Sequence, residues 1–250
     1  MDTKKDQTKG LILQSLERKL QQTKLNSDQQ NKILIGVDIT WNILTVVVLV
    51  LLLRTFIMSP FQVYGISMCN TLNFTNGKCI DSYGDYIIIN KSSYLNLGGL
   101  SLGKPQRGDV IVFRPPQNHQ EFFIKRVIGL PGETIELIDG YVYLFNKSYP
   151  KGIKLNETYL SAENLGNTLA TGGITKFNIP EGQYFVLGDN RRKSSDSRLC
   201  FKESPGSAGC GEKGITPFLD SNLIEGKAAL VLWPQPRVIQ THSYAELAVQ

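Results

Sequence analysis

The feature that most constrains this chain is the uncharged run ITWNILTVVVLVLLL at residues 39–53. Apolar character extends back to Ile33 and forward to Met58, interrupted by Asp38 and Arg54. The run alone would rise about 22 Å as a helix, against roughly 30 Å of bilayer hydrocarbon, and the flanks supply the missing length. Arg54, near the far end, can snorkel to the interface. A cleaved leader fits poorly, because more than thirty residues precede the run and Arg54-Thr55-Phe56-Ile57, not a small-x-small site, follow it. A buried core helix fits poorly too, because the Val/Leu run has no polar face. Residues 35–58 are therefore read as a transmembrane anchor. Lys4, Lys5, Lys9, Arg18, Lys19, Lys24 and Lys32 all precede it, and close behind it only Arg54 is basic. The positive-inside rule then leaves residues 1–34 as a cytoplasmic tail and puts 59–250 outside the cell membrane. Within the tail, GLILQSLERKLQQTKL (10–25) has apolar residues at near-helical spacing. It reads either as an amphipathic helix on a membrane or partner, or as a solvated tail.

Beyond residue 59 the pattern changes to short apolar runs rich in β-branched and aromatic residues. Examples are FQVYGI (61–66), YIIIN (86–90), DVIVF (109–113), FFIKRVIG (122–129), TIELI (134–138), YVYLF (141–145), QYFVLG (183–188) and KAALVLW (227–233). Pro131-Gly132, Asp139-Gly140 and Glu181-Gly182 mark turns between some of them. The expected fold is mostly β, a folded sheet or barrel built from hairpins. A balance of 27 Lys+Arg against 22 Asp+Glu, without a dense basic run, gives no nucleic-acid footprint. His119 and His242 lack metal-ligand spacing and no C-x-x-C occurs, so neither metal nor cofactor is expected. Cys69, Cys79, Cys200 and Cys210 form two pairs, each ten positions apart. In an oxidising compartment this favours local bridges 69–79 and 200–210, although four cysteines allow three connectivities and free thiols are the alternative.

Two stretches could carry chemistry. PFQVYGISMCNTL (60–72) places Ser67 in apolar surroundings shortly after the span. A serine needs a partner that removes its proton. Lys125 lies inside the strand-like FFIKRVIG, where alternation puts Phe123, Lys125 and Val127 on one face. Burial lowers an amine's pKa, and a neutral lysine can serve as a base. A gatekeeper lysine on an edge strand is the competing reading. GDNRRKSSDSR (188–198) is dense in hydrogen-bonding groups, with Arg191, Asp196 and Arg198 suited to an ion-pair network and Ser194 to supporting an amine, or else it is a polar surface turn.

Taken together, these segments resemble the type I signal peptidases, membrane-bound Ser–Lys endopeptidases. The family's motifs occur in order: PFQVYGISMCNTL, GDYIIINKSSY (84–94), RGDVIVFRPP (107–116), FIKRVIGLPGETIEL (123–137), GDNRRKSSDSR and IEGKAALVLWP (224–234). The resemblance implies Ser67 as nucleophile, Lys125 as general base and Ser194 as the serine that orients the lysine. Asp196 and Arg198 match residues that hold the site together. Phe61, Val63, Tyr64, Leu72, Phe123 and Ile124 fall where the family lines shallow pockets for small side chains at the −1 and −3 positions. It also implies preprotein substrates bearing signal peptides cut at A-x-A-like sites, an acyl-enzyme, and a plasma-membrane location. Membrane lipid and the secretion machinery are the further partners expected.

The chain departs from the family at two places. Many relatives have a serine two residues before the nucleophile that adds a donor to the oxyanion hole, and here that position is Gly65. After Ser-Met the family usually has x-Pro-Thr-Leu, and here it is Cys69-Asn70-Thr71-Leu72. A Cys69–Cys79 bridge that restores the lost stiffness is one expectation, and two unremarkable loop cysteines the other. A membrane-anchored homologue that binds exported chains without cutting them is the alternative function. A self-cleaving repressor-type Ser–Lys protease is opposed by the span.

Overall fold

The computed structural model describes residues 15, 18, 19, 26–94, 96–97, 100–170, 173–202, 210, 215–244 and 247. Apart from Ser15, Arg18 and Lys19, the stretch 10–25 read as an amphipathic helix lies outside the described residues. The chain divides into two compact units, residues 1–55 and 56–250.

In the first unit the helix α1 (Ser27–Phe56) contains the apolar run and buries none of its residues within the protein. Its 30 residues rise about 45 Å, enough to cross a bilayer. It starts earlier than the expected 35, with Asp28 in the first turn and Arg54 in the last, each matched to the helix dipole. The hydroxyls inside the apolar stretch are satisfied by the helix itself. Thr40 Oγ1 donates to Gly36 O at 2.8 Å and Thr45 Oγ1 to Trp41 O at 2.9 Å, as an apolar solvent demands.

The second unit is mostly β. In chain order its strands are β1 (Met58–Tyr64), β2 (Phe74–Thr75), β3 (Lys78–Cys79), β4 (Tyr83–Asn90), β5 (Asn96–Leu97), β6 (Leu100–Ser101), β7 (Val110–Phe113) and β8 (Phe123–Gly129). Then follow β9 (Thr134–Ile138), β10 (Tyr141–Phe145), β11 (Ile153–Lys154), β12 (Lys176–Asn178), β13 (Gln183–Leu187), β14 (Leu219–Asp220), β15 (Ile224–Trp233) and β16 (Arg237–Val238). An eight-stranded sheet runs β1-β4-β15-β7-β8-β13-β14, with β16 on β15, and a four-stranded sheet runs β11-β10-β9-β12. β2–β3 and β5–β6 are small hairpins.

The large sheet curls like half a barrel. Phe61 of β1 reaches Phe122, just before β8, with ring centroids 5.0 Å apart, although three strands separate β1 from β8 in the sheet order. Inside the curl Val63, Ile87, Ile89, Val112 and Val231 pack together. The other face of β7, through Ile111 and Phe113, packs on Val127, Val186 and Phe201. This is why VIVF (110–113) reads as a continuous apolar run: both faces of β7 are covered. A third core joins the two sheets through Ile128, Phe185 and Leu187 against Ile135, Val142 and Phe177.

Candidate active site

Ser67 sits in a tight turn just after β1. Cys69 N–H donates to Ile66 O at 3.0 Å and Leu72 N–H to Met68 O at 2.8 Å. Gly65 has φ +80°, which glycine enters without a steric cost, and Asn70 has φ +82°. The latter explains the missing proline, whose ring fixes φ near −65° and cannot enter this turn. The Cys69–Cys79 disulfide is formed and ties the turn to the β2–β3 hairpin; Cys200–Cys210 is formed as well.

β8 brings Lys125 to the serine. Its Nζ donates to Ser67 Oγ at 2.9 Å and to Ile124 O at 2.9 Å. The side chain is only 4 % exposed. Burial pushes the amine down from 10.5 to about 8, and the more distant carboxylates of Asp196 and Asp189 hold it from falling further. Lys125 is therefore no exposed edge-strand lysine. No carboxylate among the described residues lies within ion-pairing distance of it.

The segment 188–198 closes behind Ser67 and Lys125. Asn190 N–H donates to Ser67 O at 3.0 Å. Gly188 passes so near that a Cβ there would overlap Ser194 Oγ and Ser67 O. Burial alone would raise the Asp196 carboxyl. Arg198 outweighs it through Nε and Nη2, both at 2.9 Å, with help from Gly188 N–H at 3.1 Å, and the net displacement is downward. Ser194 Oγ is buried without a partner of hydrogen-bonding geometry among the described residues, yet lies near enough to favour the Asp196 charge. Its hydroxyl thus has hydrogen-bonding capacity to spare.

A cleft opens in front of Ser67 and Lys125. Its walls include Phe61, Val63 and Tyr64 of β1 and Phe123 and Ile124 of β8, with Gln62, Glu121 and Phe122 at the rim. Leu72 is the exception among the expected wall residues. It is fully buried in the core with Met68 and Ile87, because the turn after Ser67 carries it inward, and it does not line the cleft. Among the described residues β1 is the edge strand of its sheet, paired on one side only, with β4.

Two charged pairs frame the site, and of their four residues the sequence singled out only Arg191. Arg126 makes a two-pronged bond to Asp189, at 2.9 and 2.7 Å, and lies 4.2 Å over the Tyr159 ring. Asp189 also accepts from Thr71 Oγ1 at 2.5 Å, which links the turn of Ser67 to the strand of Lys125. Arg191 pairs with the buried Glu157 at 2.6 Å. The signal of Arg126 is its place beside Lys125 in an apolar strand. Glu157 lies in a loop and carries no such signal.

Comparison with known proteins identifies the family. Residues 37–233 match the family model described as signal peptidase, peptidase S26. A signal peptidase I of Pseudomonas fluorescens is 30% identical over 82% of this chain and 75% of its own. One of Rickettsia akari is 34% identical over 64% of this chain and 71% of its own. A crystal structure of a signal peptidase I from Enterococcus faecalis covers 50% of this chain and 96% of its own at 33% identity, with a TM-score of 0.34. The chain belongs to the signal peptidase, peptidase S26, family, whose members are serine endopeptidases.

Proposed function

We propose that this chain is a signal peptidase I that removes N-terminal signal peptides from exported preproteins at A-x-A-like sites, using Ser67 and Lys125 as its dyad. The observation that carries the reading is the 2.9 Å hydrogen bond between Lys125 Nζ and Ser67 Oγ, made by a buried amine lowered to about 8. Near neutral pH an appreciable share of such an amine is uncharged and can accept a proton.

The steps follow from the atoms present. The substrate adds as an extended strand along the free edge of β1, with its small side chains in the cleft between β1 and β8. Ser67 Oγ attacks the scissile carbonyl as its proton passes to Lys125 Nζ. The backbone N–H of Ser67 donates no hydrogen bond among the described residues, so it is free to meet the developing oxyanion. Gly65 supplies no second, side-chain donor. Collapse of the intermediate passes the proton to the leaving amine and leaves an acyl-enzyme on Ser67. Water, deprotonated by Lys125, releases the signal peptide. Ser194 fits the part of orienting the amine, and Asp196 with Arg198 fixes the loop that carries it. Helix α1 acts as the anchor, with the tail 1–34 cytoplasmic and residues 59–250 extracytoplasmic, as the basic residues before the helix support. In the sequence Ser67 follows the helix end by eleven positions.

The test is cleavage of an A-x-A preprotein by the full-length chain in lipid or detergent, beside Ser67→Ala and Lys125→Met. Cutting by the parent alone, at that bond, is the expected result. An uncut substrate with a folded parent would instead favour a homologue that binds exported chains, with Gly65 as the place where catalysis was lost.

A further inference from the structure

The nucleophile turn is held from behind by a polar knot that the reaction itself does not use. β1 and β4 pair in regular antiparallel register until a bulge between Gln62 and Tyr64. A bulge releases backbone groups from the ladder. The Val63 carbonyl is then taken by the side chain of Asn73, whose Nδ2 donates to Val63 O at 3.2 Å and to Gly65 O at 2.9 Å. The orientation of this carboxamide is fixed from the other side, because its Oδ1 accepts from Asp85 N–H at 2.7 Å. A flipped amide would set oxygen against carbonyls and NH₂ against N–H. Asn73 N–H donates in turn to Asp85 Oδ2 at 3.1 Å, and Asn73 O accepts from Ile80 N–H at 2.8 Å.

The residue is fully buried and adopts φ +53°, a left-handed conformation for which Asn is one of the few suited side chains. Glycine at 84 leaves the room the carboxamide occupies. Arg237 completes the knot from β16, donating to Asp85 Oδ2 at 2.6 Å and to Thr71 O at 3.1 Å. At the other end of the same turn, Cys69 is bonded to Cys79 of β3. Ser67 therefore lies between two fastenings, Asn73 on Gly65 and the disulfide on Cys69, each two residues away.

We propose that Asn73, together with the Cys69–Cys79 disulfide, is a positioning device for the nucleophile: segment 73–85 braces the turn so that Ser67 keeps its place against Lys125. A glycine at 65 and an asparagine at 70 make this turn pliable in sequence, and the brace supplies the rigidity that its own residues lack. The proposal rests on the reading of Ser67 as nucleophile.

The test measures kcat and KM separately for the full-length chain and an A-x-A preprotein, beside Ser67→Ala and with thermal melts of every variant. Asn73→Ala is expected to lower kcat by about 10- to 100-fold, with KM changed less than about twofold and the pH dependence set by Lys125 in place. Cys69→Ser/Cys79→Ser is expected to lower kcat in the same way, by about 3- to 10-fold. A folded Asn73→Ala that keeps kcat within about twofold of the parent overturns the proposal, and so does a loss confined to KM. If Asn73→Ala fails to fold, the cysteine double variant decides: a kcat loss supports the brace and an unchanged kcat overturns it. A parent as inactive as Ser67→Ala removes the peptidase reading and the brace with it, whereas an active parent with equally active variants removes the brace alone.

Discussion

Lys125 and Arg126 are neighbours in one strand, both buried, and they are treated in opposite ways. Arg126 meets a carboxylate with two parallel hydrogen bonds, a backbone carbonyl of Gly108 at 2.7 Å and an aromatic face. Burial alone would lower its pKa, but Asp189 reverses the sign and its charge is held more firmly than in water. Lys125 meets a hydroxyl and a carbonyl, both neutral, and the more distant Asp196 and Asp189 offset its burial only in part, so its proton is loosely held. The pleat sends the two side chains to opposite faces of β8, so adjacent residues receive opposite environments. Of these two buried charges, the one that holds the frame is locked and the one that faces Ser67 is loosened.

The sharpest way to break this contrast is Lys125→Met. Cleavage is expected to fall by about 10⁴-fold or more, measured as kcat/KM on a preprotein. The same variant is expected to be more stable near neutral pH. An amine at 10.5 in the unfolded chain and about 8 in the folded one leaves the unfolded chain with the extra proton between those values. The burial cost is therefore full below pH 8, about 3 kcal/mol, and disappears as pH rises towards 10.5. Denaturant titrations of parent and variant at pH 7 and pH 10 check both the gain and its disappearance.

Arg126→Met asks the opposite question of the next residue. It strands Asp189 without its partner, and a loss of about 3–5 kcal/mol in unfolding free energy is expected at pH 7. Asn70→Pro is a smaller probe of the nucleophile turn. At φ +82° proline cannot be accommodated, so this return to the family's usual residue is expected to destabilise by more than about 1 kcal/mol, while Asn70→Gly is tolerated. Arg114 sets the lower limit. Its 2.8 Å bond to Glu225 is made by a side chain 37% exposed, and Arg114→Ala is expected to cost under about 1 kcal/mol in the same titrations.

Much of this arrangement is legible in the sequence, for identifiable reasons. Helix α1 follows from a charge-free run, and the strands around Ser67 and Lys125 follow from β-branched residues between turns. The residues that meet across 58 positions, Lys125 and Ser67, are joined on the page only by the resemblance of their motifs. Leu72 packs in the core and not on the cleft wall, because a motif gives order along the chain and not the inward direction of the turn after Ser67. Asn73 and Asp85 carry no visible signal, because their role arises from a bulge in β1 that no periodicity records. Asn70 looks like a lost proline in sequence, and only its backbone angle reveals a turn that excludes proline.

The proposed function makes Lys125 a base created by burial, and the pH dependence of kcat/KM for preprotein cleavage decides whether it is one. An ascending limb that gains about tenfold per pH unit and levels off near 8 is the predicted result. A limb that continues to climb towards 10.5, or a rate indifferent to pH across that range, would contradict it.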